Sequence, residues 1–303
     1  MGQGTGQGPR SGRRRARAAL AVLTAAVLGV TGCDVVGGDS PSPSGSASKR
    51  PKPPPVWDTT PASVAAVGDS ITRGFDACMV LSDCPEVSWA TGSRAEVGSL
   101  AVRLLGKTRA AERSWNYAVT GARMADLAGQ VTRAAARGPE LVTVMVGAND
   151  ACRETASAMT PVADFRTQFE EAMATLRRSL PKAQVYVASI PDLKRLWSEG
   201  RTNPLGKQVW KLGICPSMLG DADSMDSAAK LRRNTVRERV QDYNEVLREV
   251  CAKDRRCRTD DGAVHEFRFG TDQLSRWDWF HPSVDGQARL AEIAYRAVTA
   301  EQH

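Results

Sequence analysis

The chain has 303 residues, 42% of them hydrophobic, which is enough for a sizeable core and excludes whole-chain disorder. A formal charge of +7 invites a nucleic-acid or acidic-surface partner, while seven cysteines, an odd number, argue against a reducing compartment. Length alone points to two domains of about 150 residues, but the composition is far from uniform along the chain.

Residues 10–17 carry Arg10, Arg13, Arg14, Arg15 and Arg17 and no acid, and Ala18 to Val30 follow as an apolar run broken by Thr24 and Gly29. As a helix that run spans about 20 Å, short of a ~30 Å hydrocarbon core. It reads as a secretory signal and not as a membrane span. It ends Val30-Thr31-Gly32-Cys33, which resembles the bacterial lipobox; the resemblance implies lipidation of Cys33 as the mature N-terminus. An ordinary signal peptide with a chance cysteine is the plainer alternative, and the export route stays open. Asp34 to Pro61 is rich in Ser, Pro and Gly. Such a segment buries too little apolar surface to offset its ordering entropy, so it reads as a tether. The expected organisation is a leader over 1–32, the lipidated cysteine and tether over 33–61, and one domain over 62–303. Without the five leader arginines the net charge falls to +2, and a nucleic-acid partner loses its support. Expected instead is a monomer outside the cytoplasm, held to the membrane through Cys33.

Within the domain, Ala62 to Gly68 is a short apolar run ending in Gly, as in a buried parallel strand. Ser93 to Lys107 has helical spacing through Val97, Leu100, Ala101, Leu104 and Leu105. Ser114 to Val119 suits a second strand, Arg123 to Arg137 an Ala-rich helix, and Leu141 to Val146 the clearest strand. A helix over Phe165 to Leu180 stops at Pro181, and a strand over Gln184 to Ile190 stops at Pro191. Residues 226–251 read as a long amphipathic helix with Leu231, Val236, Val240, Tyr243, Val246 and Leu247 facing inward, and Val284 to Val298 as the final helix. Strands alternating with helices predict an α/β fold, a parallel sheet covered on both faces. Sites in such sheets gather beyond the carboxyl ends of the strands.

Three of these strands run into unusual residues: Gly68-Asp69-Ser70, the stretch reaching Gly121, and Gly147-Ala148-Asn149-Asp150. Near the C-terminus comes Asp278-Trp279-Phe280-His281-Pro282. Together they supply a nucleophile, amide donors and an acid–base pair, the inventory of an acyl-transfer site. A serine hydroxyl attacks a carbonyl only if a neighbour removes its proton, and histidine is suited to take and return it. A carboxylate beside the histidine fixes its tautomer, and preorganised N–H donors hold the developing oxyanion.

The four blocks, in this order, resemble the SGNH (GDSL-type) hydrolases, esterases and lipases, over essentially all of residues 62–303. The resemblance implies a three-layer α/β/α sandwich with five parallel strands. It implies Ser70 as nucleophile, His281 and Asp278 completing a triad, and an oxyanion hole from Ser70, Gly121 and Asn149. Cys84-Pro85-Glu86-Val87-Ser88-Trp89 and the six domain cysteines look like the secreted actinobacterial branch, where some relatives use a backbone carbonyl in place of the Asp. Six cysteines allow fifteen pairings. Sequential pairing, Cys78–Cys84, Cys152–Cys215 and Cys251–Cys257, is favoured by the two short loops and implied by the resemblance.

Plainer readings stand beside these. Gly38-Asp39-Ser40 repeats the first motif in the tether, where no strand precedes it. Gly121 could be a helix-entry turn and Asn149-Asp150 an N-cap pair. Asp150 is expected to support its loop, His265 to be structural, and Trp277, Trp279 and Phe280 to line an acyl pocket or pack the loop. Thr72 occupies the second glycine position of Gly-x-Ser-x-Gly, so an α/β-hydrolase elbow is excluded. No metal or cofactor is expected, and residues 192–225 are expected to shape the cleft. The reading is an extracytoplasmic serine esterase or lipase. The rivals are a carbohydrate O-acetyl esterase on the same site and a non-catalytic ligand-binding lipoprotein.

Overall fold

The computed structural model describes residues 57–301. The leader, Cys33, the tether to residue 56, and His303 lie outside the described residues. Five strands, β1 (Val64–Gly68), β2 (Ser114–Asn116), β3 (Leu141–Met145), β4 (Gln184–Val187) and β5 (Cys257–Thr259), form one parallel sheet in the order β2-β1-β3-β4-β5. Val64 lies opposite Ser114 and Leu141, and Leu141 opposite Gln184, so the strands start level. Every residue of β1, β3 and β4 is buried, as expected of strands covered on both faces.

Short helices α1 (Ser70–Arg73), α2 (Leu100–Leu105) and α3 (Lys107–Arg113) lie between β1 and β2. Then come α4 (Leu127–Ala135), α5 (Ala148–Ala151) and α6 (Val162–Ser179), and between β4 and β5 α7 (Leu193–Gly200), α8 (Pro204–Trp210), α9 (Pro216–Leu219) and α10 (Ser227–Ala252). The chain closes with α11 (Ala263–Glu266) and α12 (Val284–Thr299). Helix α4 packs on β1 and α6, α6 on α10, and α10 on β5, while α12 packs on α2, β4 and β5. This is a three-layer α/β/α sandwich.

Local chemistry sets the boundaries. The helix expected over residues 93–107 begins at Leu100, because the Ser99 hydroxyl accepts the Val102 N–H, and breaks at Gly106, whose φ is +75°. Leu231, expected inward, is 68% exposed. It lies five residues from Val236, about 140° around the helix, and Arg233 is the buried residue there instead, its guanidinium donating to the carbonyls of Met218, Ser224 and Asp221. The packed domain also reaches further back than residue 62. Trp57 is buried, its indole N–H donating to the Val298 carbonyl (2.8 Å) under the Arg258 guanidinium. The three disulfides join Cys78 to Cys84, Cys152 to Cys215 and Cys251 to Cys257.

Candidate active site

β1 delivers Ser70. Gly68 ends the strand at φ +151°, and a Cβ there would lie 2.2 Å from the Met145 carbonyl oxygen of the neighbouring strand, so only glycine fits. Asp69 caps α1 by accepting the Ile71 N–H (3.0 Å), which makes Ser70 the first residue of that helix. Its N–H therefore has no acceptor within the helix.

Opposite Ser70, the segment after Leu274 turns back on itself: the Ser275 N–H donates to the His281 carbonyl (2.7 Å), and Leu274 bridges Pro282. Asp278 Oδ1 accepts the N–H groups of Phe280 and His281, both at 2.9 Å. Its Oδ2 accepts the His281 Nδ1–H, which leaves Nε2 to accept the Ser70 hydroxyl at 2.9 Å. The side chain of Asp278 is fully buried, and Ser70 is 6% exposed.

Electrostatics follows from this placement. Burial pushes the Asp278 carboxyl up, but the His281 charge and three hydrogen bonds outweigh it and hold Asp278 below the ordinary range. His281 is the reverse: burial opposes its charge, and the Asp278 carboxylate, then Asp76 and Asp69, hold it above the ordinary imidazole value. Burial pushes Asp69 up to about 7 against the Ile71 hydrogen bond, and its Oδ2 has no partner among the described residues.

Ser70, Gly121, Asn149 and His281 line one cavity of about 220 Å³. Gly121, a lining residue of the cavity, has φ +82° and open space where a side chain would stand. The Asn149 side-chain amide donates one N–H to the Ala122 carbonyl (2.9 Å), which fixes its orientation. The apolar walls are Ile71, Leu193, Leu196, Ile214 and Phe280, joined by the Cys152–Cys215 disulfide. The stretch 192–225 thus forms one bank of the cleft. Phe280 lines it, whereas Trp279 packs on Gly206 and is not among the lining residues. Asp150 supports its loop by accepting from the Met124 N–H and the Thr160 hydroxyl, and His265 bonds the Ile190 carbonyl away from this cavity.

Other supports carry no sequence motif. Gln130 clamps Gly68 from both sides, accepting its N–H (2.7 Å) and donating to its carbonyl (2.9 Å). Gln287 of α12 accepts the Trp89 N–H and donates to the Ile71 carbonyl. Trp210 donates its indole N–H to the Asp278 carbonyl (2.7 Å). Asp76 lies beside Asp278 and is buried.

Residues 64–294 match the family described as GDSL-like lipase/acylhydrolase. The chain belongs to that family, whose members are ester hydrolases. No curated protein matches it in sequence. Among solved structures it is similar to an extracellular lipase from Streptomyces rimosus (19% identity, TM-score 0.42, covering 77% of this chain and 99% of that one). It is similar also to a family 3 carbohydrate esterase from Clostridium thermocellum (14% identity, TM-score 0.44, 78% and 94%).

Proposed function

We propose that this enzyme is an extracytoplasmic serine esterase whose nucleophile is Ser70, tethered to the membrane through a lipid on Cys33. The observation that carries the catalytic part is the unbroken chain from the Ser70 hydroxyl through His281 to the buried Asp278 carboxylate. As Ser70 Oγ attacks the ester carbonyl, its proton passes to His281 Nε2, and the imidazolium is held by Asp278. The oxyanion meets the N–H groups of Ser70, Gly121 and Asn149. When the C–O bond to the alcohol breaks, His281 returns the proton to the leaving oxygen and the acyl group stays on Ser70. Water, deprotonated by the same imidazole, then releases the acid.

The cavity of about 220 Å³ is below the usual ~300–1,000 Å³ of sites for drug-sized ligands, and its walls are apolar. Both favour a short acyl group over a long chain. The same dimensions suit an acetyl group carried on a glycan, and release of acetate from acetylated polysaccharide would establish that substrate class. The export leader and three disulfides support a location outside the cytoplasm. Among the described residues no helix is long and apolar enough to cross a membrane; what supports attachment through Cys33 is the lipobox-like Val30-Thr31-Gly32-Cys33 after the apolar leader.

The test is hydrolysis of p-nitrophenyl esters from two to sixteen carbons by the wild type and Ser70→Ala. Wild-type kcat/KM should peak at short chains, and Ser70→Ala should lose about five to six orders of magnitude in turnover. A Ser70→Ala protein as fast as wild type would overturn the reading, and failure of a fluorophosphonate to label Ser70 would favour a non-catalytic binding protein.

A further inference from the structure

Asp76 has no part in the mechanism above, yet it occupies an improbable place. It is a buried carboxylate whose backbone sits in the left-handed region at φ +56°, a conformation that non-glycine residues adopt at a cost. The local structure holds it there. Its N–H donates to the Ser82 carbonyl (3.0 Å), its carbonyl accepts the Ser275 hydroxyl (2.6 Å), and its Oδ1 accepts the Leu81 N–H. The other oxygen, Oδ2, is buried with no N–H or O–H donor to it among the described residues, and the carboxyl group can share a hydrogen bond with Asp278 when one of the pair is protonated. A carboxylate oxygen of Asp76, one of Asp278 and a ring nitrogen of His281 all lie within 4.8 Å of one another. Two buried carboxylates thus face one imidazole.

We propose that Asp76 is a positioning residue of the reaction, a second carboxylate whose charge stabilises the imidazolium formed as His281 takes the Ser70 proton. This rests on the ester-hydrolase reading of the site. Three carboxyl groups set the charge around His281: Asp278 on its own turn, Asp76 on the segment after α1, and Asp69 at the start of α1; Ser70, which bonds the ring, is neutral. The rings of Phe75 and Phe280 stand edge-on to the imidazole at 5.1 and 5.5 Å and contribute no charge. Of the arginines near these residues in sequence, Arg73 is paired with Asp83 at 3.0 Å and Arg276 stands over the Trp277 ring. Around Asp76 itself the charged groups are Asp278 and His281. Burial and the Asp278 charge push Asp76 up to about 6. It is therefore neutral in acid, where His281 is protonated and the enzyme idle, and ionised where the imidazole works as a base.

Asp76→Asn keeps the shape and the acceptor for Leu81 while removing the charge. With one negative charge fewer beside the imidazolium, the acid-limb midpoint of kcat/KM against pH should move down by about one unit. The plateau should fall about 3- to 10-fold with KM unchanged. In the wild type, the side-chain carboxyl of Asp76 followed by 13C NMR should be ionised across the pH range of the activity plateau, a measurement that needs no variant to fold. An Asp76→Asn midpoint equal to wild type, or an Asp76 carboxyl still protonated on the plateau, overturns the proposal while leaving the serine-esterase reading intact. An active Ser70→Ala overturns the reading on which it rests.

Discussion

Replacing Asp278 by Asn isolates the charge of the proposed triad from its shape. The Asn carbonyl oxygen can keep the two bonds that Asp278 Oδ1 accepts from Phe280 and His281, so the turn presenting the imidazole should persist. What is lost is the carboxylate at His281 Nδ1. Two unit charges about 4 Å apart at an effective dielectric of about 20 interact by ~4 kcal/mol, and that interaction is realised only when the imidazole is protonated in the transition state. At about 1.4 kcal/mol per decade this is roughly a thousandfold in rate, and a share of molecules holding the wrong tautomer would add to it. The assay is kcat/KM on p-nitrophenyl butyrate near pH 8, with circular dichroism to verify the fold. A loss below tenfold in a folded Asp278→Asn protein would refute the assignment of Asp278, because a fully buried carboxylate bonded to the catalytic imidazole cannot be removed so cheaply if it acts as argued.

Two further outcomes follow from other parts of the structure. Cys152→Ser with Cys215→Ser opens a link spanning 63 residues; the chain-entropy relation gives about 4 kcal/mol of lost stability. Because both cysteines line the cavity, KM should rise along with the drop in Tm, and an unchanged Tm would contradict this. Asp69→Asn should stabilise the fold in a pH-dependent way. The wild-type carboxyl ionises at about 7 when folded and near 3.8 when free, so wild-type stability is eroded as pH rises from 4 through 7. The advantage of Asn in Tm should be small at pH 4 and largest at pH 8; an advantage independent of pH would show that Asp69 is not the titrating group.

Two of the candidate site residues, Ser70 and Asn149, were legible because each sits just past the end of an apolar run. Val64–Gly68 and Leu141–Met145 are continuous hydrophobic stretches, and the polar residues just beyond them, Ser70 and Asn149, stand at the carboxyl end of the sheet. The supports were not legible. Gln130 reaches Gly68 across 62 residues and Gln287 reaches Ile71 across 216; a buried glutamine looks like a surface one until the fold brings its partner. β5 escaped notice because Cys257–Thr259 is three half-buried residues with a charged centre and no apolar run. Leu231 misled because apolar character alone does not fix a face, and the buried Arg233 shows that a well-satisfied guanidinium can occupy a core position. Asp76 carried no signal at all: its importance lies in a backbone turn and in a neighbour some two hundred residues away.

The seat of Trp57 also has a practical side. Trp57 and Asp58 are held by Val298 and Gln184, at the end of the sheet where β4 begins. Ser70 and Asn149 stand at the other end, beyond strands of five residues, about 17 Å away along the strand direction. Coupling the domain to a bead or an electrode through a residue just ahead of Trp57 should therefore leave the cleft pointing into solution, open to bulky or insoluble substrates, whereas an attachment in the Cys78–Cys84 loop would crowd the cleft it is meant to expose.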